Sequence, residues 1–175
     1  MPDFIEKDIR INLDGKTNPS GLKPDMFWCM EDSVIAIPPR QEDSNQLSAA
    51  LTMRTAVAAA AGVTAVAAGK FARLRASDVK SKYKAEAIIK DNCHCGFKVS
   101  VELHFHGRDA VASADFQKLA NRNIRLLIPE RAGTMVFIEW IRLAHSHEDE
   151  PRGYVLKGEV EVANEPPYYT FPIPV

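Results

Sequence analysis

The chain has too few cysteines, in the wrong places, for a disulfide framework: three in 175 residues, with Cys93 and Cys95 one residue apart and Cys29 far upstream. An odd, clustered set excludes the small stapled secreted scaffold and points to a reducing compartment. The longest uncharged alanine-rich stretch, Thr55 to Ala68, is 14 residues. That is short of the roughly 20 apolar residues a bilayer span needs, so no membrane span is expected. The opening Met1-Pro2-Asp3-Phe4-Ile5-Glu6-Lys7-Asp8 lacks the basic start and apolar run of a secretory signal, and a cytoplasmic location is the expectation. No nucleophile–base signature, phosphate loop or dinucleotide fingerprint occurs. Histidine is absent before position 94 and after 147.

What is present is the composition of a soluble globular protein, 46% hydrophobic and 26% charged, long enough for one good core but not for two ordinary domains. The net charge of −1 conceals an asymmetry. Residues 1–46 carry five basic and nine acidic side chains, 47–90 carry eight and two, and 91–175 carry nine and twelve. An acidic–basic–acidic layout of this kind favours salt-sensitive self-association.

Three segments follow. Residues 1–46 read as a turn-rich N-terminal arm with short strands: Ile9, Ile11 and Leu13 alternate with polar residues, Asp14-Gly15 and Lys23-Pro24-Asp25 mark turns, and Val34 to Ile37 form a strand ended by Pro38-Pro39. Residues 47–81 read as a long alanine-rich helix and a basic connector. Ser44 or Asn45 supplies the cap, the helix runs to about Gly69, and Ala61, Ala65 and Gly69 give it a flat face for close packing. Residues 82–175 read as an antiparallel β-sandwich or small barrel, with strands expected at 83–90, 97–106, 123–128, 134–143, 153–162 and 168–173 and a short helix at 109–121. The fold class expected is therefore α+β, mainly β.

The histidines stand as Cys93-His94-Cys95, His104-Phe105-His106 and His145-Ser146-His147. In a strand at 97–106, Phe97, Val99, Val101, Leu103 and Phe105 face inward and Glu102, His104 and His106 share the outer face. Two imidazoles two residues apart lie roughly 6–7 Å from each other along a strand, a spacing that can grip one ion. His104, His106, His145 and His147 are the candidate metal ligands, with zinc, iron or copper as the metal; His94, Cys93 and Cys95 are further donors, and Glu102 can add an oxygen or orient a histidine. The competing reading, a solvated sheet face and a loop with no cofactor, is favoured because a metal site needs three or four converging ligands.

Phe137-Ile138-Glu139-Trp140-Ile141 resembles the central strand of superoxide reductases, which implies an immunoglobulin-like sandwich and, in that family, iron held by four histidines and a cysteine. Val136 stands where that family commonly has a histidine. Asp91-Asn92-Cys93-His94-Cys95-Gly96 is similar to the Asp-x-Ser-x-x-Gly turn of PilZ domains, and with Arg73 and Arg75 implies cyclic-dinucleotide binding on a β-barrel; Cys93 replaces the serine.

The expected function is that of a non-catalytic structural or interaction protein, a homo-oligomer or a subunit of a larger complex. The flat helix face, the apolar Met26-Phe27-Trp28 patch and the proline-rich Pro166 to Val175 segment support it. Metal binding is the first alternative. The second is a nucleotide, nucleic acid or other acidic surface held by the basic segment 70–90, Lys80, Lys82 and Lys84 above all. Phe71 and Tyr83 are the only aromatics near that segment, so a base-stacking platform is not evident.

Overall fold

The computed structural model describes residues 9–10, 22–61, 64–77, 80–90, 93–106, 110–120, 122–130, 134–149 and 152–175. The expected strand at Ile9, Ile11 and Leu13 is described only at Ile9–Arg10; the rest of it and the Asp14-Gly15 turn lie outside the described residues.

The strands are β1 (Ile9–Arg10), β2 (Asp25–Met30), β3 (Val34–Ala36), β4 (Thr52–Met53), β5 (Ala72–Arg75), β6 (Lys82–Lys90), β7 (Cys93–His106), β8 (Asn123–Pro129), β9 (Met135–Arg142), β10 (Ala144–Asp149), β11 (Arg152–Val162) and β12 (Tyr168–Tyr169); α1 (Ala110–Leu119) lies between β7 and β8. They form a six-stranded sheet in the order β1-β5-β2-β8-β9-β12, a four-stranded sheet β10-β11-β7-β6 and a two-stranded ribbon β3-β4.

The two larger sheets face each other across one core. Met26, Trp28, Leu74, Ile124, Leu126, Ile128 and Ile138 come from the six-stranded sheet; Val99, Val101, Leu103, Phe105, Tyr154, Leu156 and Val160 come from the four-stranded one. Of the inward positions expected of β7, Val99, Val101, Leu103 and Phe105 are buried and Phe97 is half-buried. Helix α1 adds Ala112, Phe116 and Leu119, the i, i+4, i+7 stripe of an amphipathic helix, and Phe116 stacks at 4.7 Å from Phe105 and 5.3 Å from Tyr154. At Leu143 the chain passes from β9 into β10 and so changes sheet. Gly158 permits this, because a Cβ there would stand 2.5 Å from the Arg142 carbonyl oxygen.

The six-stranded sheet is buried on its other face too. Cys29, Leu127 and Phe137 lie under Val34, Leu47, Leu51, Phe71 and Tyr169. This cover is stitched down by backbone bonds from Leu47 N–H to Tyr168 O (3.0 Å), Tyr168 N–H to Asn45 O (2.7 Å) and Phe71 N–H to Pro174 O (2.7 Å). Burial on both faces is why the stretches 126–129 of β8 and 135–138 of β9 read as continuous apolar runs.

The long alanine-rich helix does not form. The described residues 47–61 and 64–69 are irregular chain, β4 and an antiparallel pair in which Val57 and Val66 exchange backbone hydrogen bonds of 2.8 and 2.9 Å. A helix gains most of its stability in a protein by burying one face, and this run is uniform all round. From Thr55 to Ala68 it also carries five β-branched residues, Thr55, Val57, Val63, Thr64 and Val66, and Gly62 midway between the paired valines. Each lowers helix propensity, glycine by about 1 kcal/mol relative to alanine. The sandwich is likewise not confined to the C-terminal half, since β1, β2 and β5 build half of the larger sheet. The helix expected at 109–121 is present as α1, and among the described residues no helix is long and apolar enough to cross a membrane.

Candidate functional site

The histidines sit on two strands, β7 and β10, with β11 between them. Register decides which of them meet. Tyr154 stands level with Phe105 on one side and His147 on the other; Leu156 stands level with Leu103 and His145; Val155 stands level with His104 and Ser146. Residues level across a sheet share a face. His145 and His147 therefore lie on the core face, and His104 and His106 on the opposite one. The sheet separates the two pairs, so the four expected ligands do not gather round one ion. Among the described residues no three His, Cys, Asp or Glu side chains come together as a metal-holding group.

His104 faces outward as expected but is only 7% exposed. Its Nε2 lies 3.1 Å from Glu102 Oε1, and its backbone N–H donates to Ser81 Oγ at 3.1 Å. Lys157 Nζ reaches the same Glu102 oxygen at 2.8 Å and, by that hydrogen bond, holds the carboxyl below its ordinary range. Glu102 is the middle of a cross-strand chain from Lys157 to His104. Its oxygen is engaged by both.

On the core face the rings of His145 and His147 are 4.9 Å apart, and Tyr154 lies 5.4 and 5.2 Å from them. Phe116 is 6.0 Å from His145, whose buried Nε2 has no hydrogen-bond partner. Desolvation, then the neighbouring His147, lowers the His145 pKa below its ordinary 6.5. This segment was expected to be a loop. Its period-two spacing, histidine–serine–histidine after Leu143, was the strand signal to read.

The Cys93-His94-Cys95 run, ahead of the strand start expected at residue 97, is already part of β7 at the far end of the β6–β7 hairpin. Ile88 pairs with Gly96 and Ile89 with His94, which leaves Cys95 as the extra residue of a bulge. Gly96 has φ 138°, and a Cβ on it would stand 2.5 Å from the Val162 carbonyl oxygen. Cys93, His94 and Cys95 are all exposed.

The basic stretch is divided by the fold: β5 lies in the larger sheet and β6 at the edge of the smaller. Arg75 Nε is 3.8 Å from Asp25, Lys84 pairs with Glu86 at 2.5 Å, and on the same outer face Lys98 pairs with Glu159 at 2.8 Å. Lys82 is level with Glu102. The face that carries Lys82 and Lys84 is a mixed-charge ladder.

One feature escaped the sequence reading. From Arg54 to Gly69 the chain forms an arm whose base is closed by Gly69 N–H to Arg54 O (2.7 Å) and by Arg54 Nη1 on Asp32 Oδ2 (2.6 Å). Within it Ala56, Ala58 to Ala61, Ala65, Ala67 and Ala68 are exposed, and Val57 is 46% exposed. It holds no charge between Arg54 and Lys70.

Compared with protein families, curated proteins and solved structures, the chain matches none. The likenesses to superoxide reductases and PilZ domains extend no further than the residues that carry them.

Proposed function

We propose that this protein is a non-catalytic structural or interaction protein, a β-sandwich subunit that self-associates or docks into a larger assembly. The observation that carries the reading is the hairpin arm at 54–69, which holds no charge beyond Arg54 at its base. In a chain that is 26% charged, an ordered arm with an alanine and valine surface is an exposed apolar feature of the kind that marks contact sites. Small side chains let a partner backbone approach closely. The arm is anchored at its base by Arg54, Asp32 and Gly69, so little ordering entropy is lost when it docks.

The charged residues support the same surface by default. Lys98 with Glu159, Lys84 with Glu86 and Lys157 with Glu102 neutralise one another on the smaller sheet. Association through the arm is therefore apolar in character. Sedimentation of the purified chain across a concentration series should show assembly that persists from 0.1 to 1 M salt, whereas charge-driven association would fade as the Debye length falls from about 10 Å to about 3 Å. Val57→Asp should abolish it while leaving the unfolding midpoint nearly unchanged. A monodisperse monomer at high concentration, with no partner recovered from the native source, overturns the reading.

A further inference from the structure

We infer that Cys93 and Cys95 form a two-thiolate site for a soft monovalent metal ion, Cu(I). The site lies apart from the hairpin arm. Three observations carry it. Both thiols are exposed, whereas Cys29 is fully buried and out of reach. The bulge sets Cys95 outside the ladder pairing, and its sulfur turns back to within 3.5 Å of the Cys93 carbonyl oxygen, so the second sulfur leans over the first residue. His94, the residue between them, packs its ring on Phe97 at a centroid distance of 4.9 Å and is engaged there.

The donor count then selects the metal. No third His, Cys, Asp or Glu joins the pair among the described residues. Zinc requires about four donors, while soft thiolate donors select Cu(I). Binding replaces two S–H bonds with two S–Cu bonds and releases two protons; no electron moves, because the ion enters already reduced. The product carries one net negative charge. Lys90, paired with Cys93 across the ladder, is the neighbouring cation that offsets it. Gly96 maintains the bulge, since no side chain fits at its positive φ against Val162.

The test is anaerobic titration of the reduced full chain with Cu(I) in competition with bicinchoninate. One Cu(I) per chain should be withheld from the chelator. Cys93→Ser and Cys95→Ser should each weaken retention at least tenfold at an unchanged unfolding midpoint, while Cys29→Ser and His94→Asn should retain the ion as the native chain does. No Cu(I) retained, or equal retention in the Cys93→Ser and Cys95→Ser variants, overturns the proposal; loss in His94→Asn equal to that in the cysteine variants overturns the two-sulfur assignment.

Discussion

His104 shows what residue position and residue burial separately decide. Period two correctly put it on the face away from the core, but exposure depends on what else lies on that face, and there it meets Glu102, Ser81 and the fully covered Val155. His104→Ala should therefore lower unfolding free energy by about 1–3 kcal/mol, by removing a buried ring and its contact with Glu102, whereas His106→Ala should stay within about 0.5 kcal/mol. Denaturant unfolding of the two variants checks this; equal effects would mean that the Glu102 contact contributes nothing. His145 supplies a pH test. Its folded pKa is depressed, so below about 6.5 the unfolded chain takes a proton that the folded chain resists. Its contribution to stability is complete above that pH and is lost as pH falls from 6.5 toward the folded value. In His145→Phe, which keeps a ring against Phe116 and Tyr154, the unfolding free energy should fall less steeply over that window. A slope identical to the native one would assign the effect to other groups. Gly96→Ala, forced to φ 138° against Val162, should destabilise by about 1–3 kcal/mol in the same assay.

At the scale of elements, strands with an alternating or doubly apolar pattern were legible: β6, β7, β8, β9 and β11 lie within a few residues of where the sequence places them, as does α1. Their pattern carries its own period, and burial on one or both faces reads it out directly. What was not legible depended on partners distant in sequence. β10 holds two histidines at core-facing positions, which hydropathy alone marks as polar. The alanine-rich run carries no period at all, so propensity was the only guide, and propensity is a weak term beside packing and turn formation. The helical expectation implied that Ala65→Leu would be overpacked by about 1–3 kcal/mol. In the hairpin Ala65 is exposed, and the same substitution should change stability by no more than about 0.5 kcal/mol. Thermal unfolding of that variant separates a buried position from an exposed one. The separation of His104 and His106 from His145 and His147 was likewise beyond sequence reach, because only the intervening β11 register shows that the sheet lies between them.

At the scale of the whole molecule, the two sheets are joined by a strand that crosses between them at Leu143, and the larger sheet is clad on its outer face by chain drawn from both sides of the β5–β11 region. The bond from Phe71 N–H to Pro174 O and the pairing of β12 with β9 bring residues about a hundred positions apart, or thirty, into one layer. This layer has a consequence in time. A ribosome that has released the chain only as far as β11 has made every strand of the sandwich except β12, and of the residues buried against Leu127 and Phe137 it still lacks Tyr169. Until residues through Pro174 emerge, the nascent protein presents a sheet face whose apolar cover is incomplete and an unpaired β9 edge, two features that invite association between unfinished chains. Slower elongation between β11 and Pro174 would prolong that exposure, and a holdase recruited during synthesis would be needed until that segment has emerged.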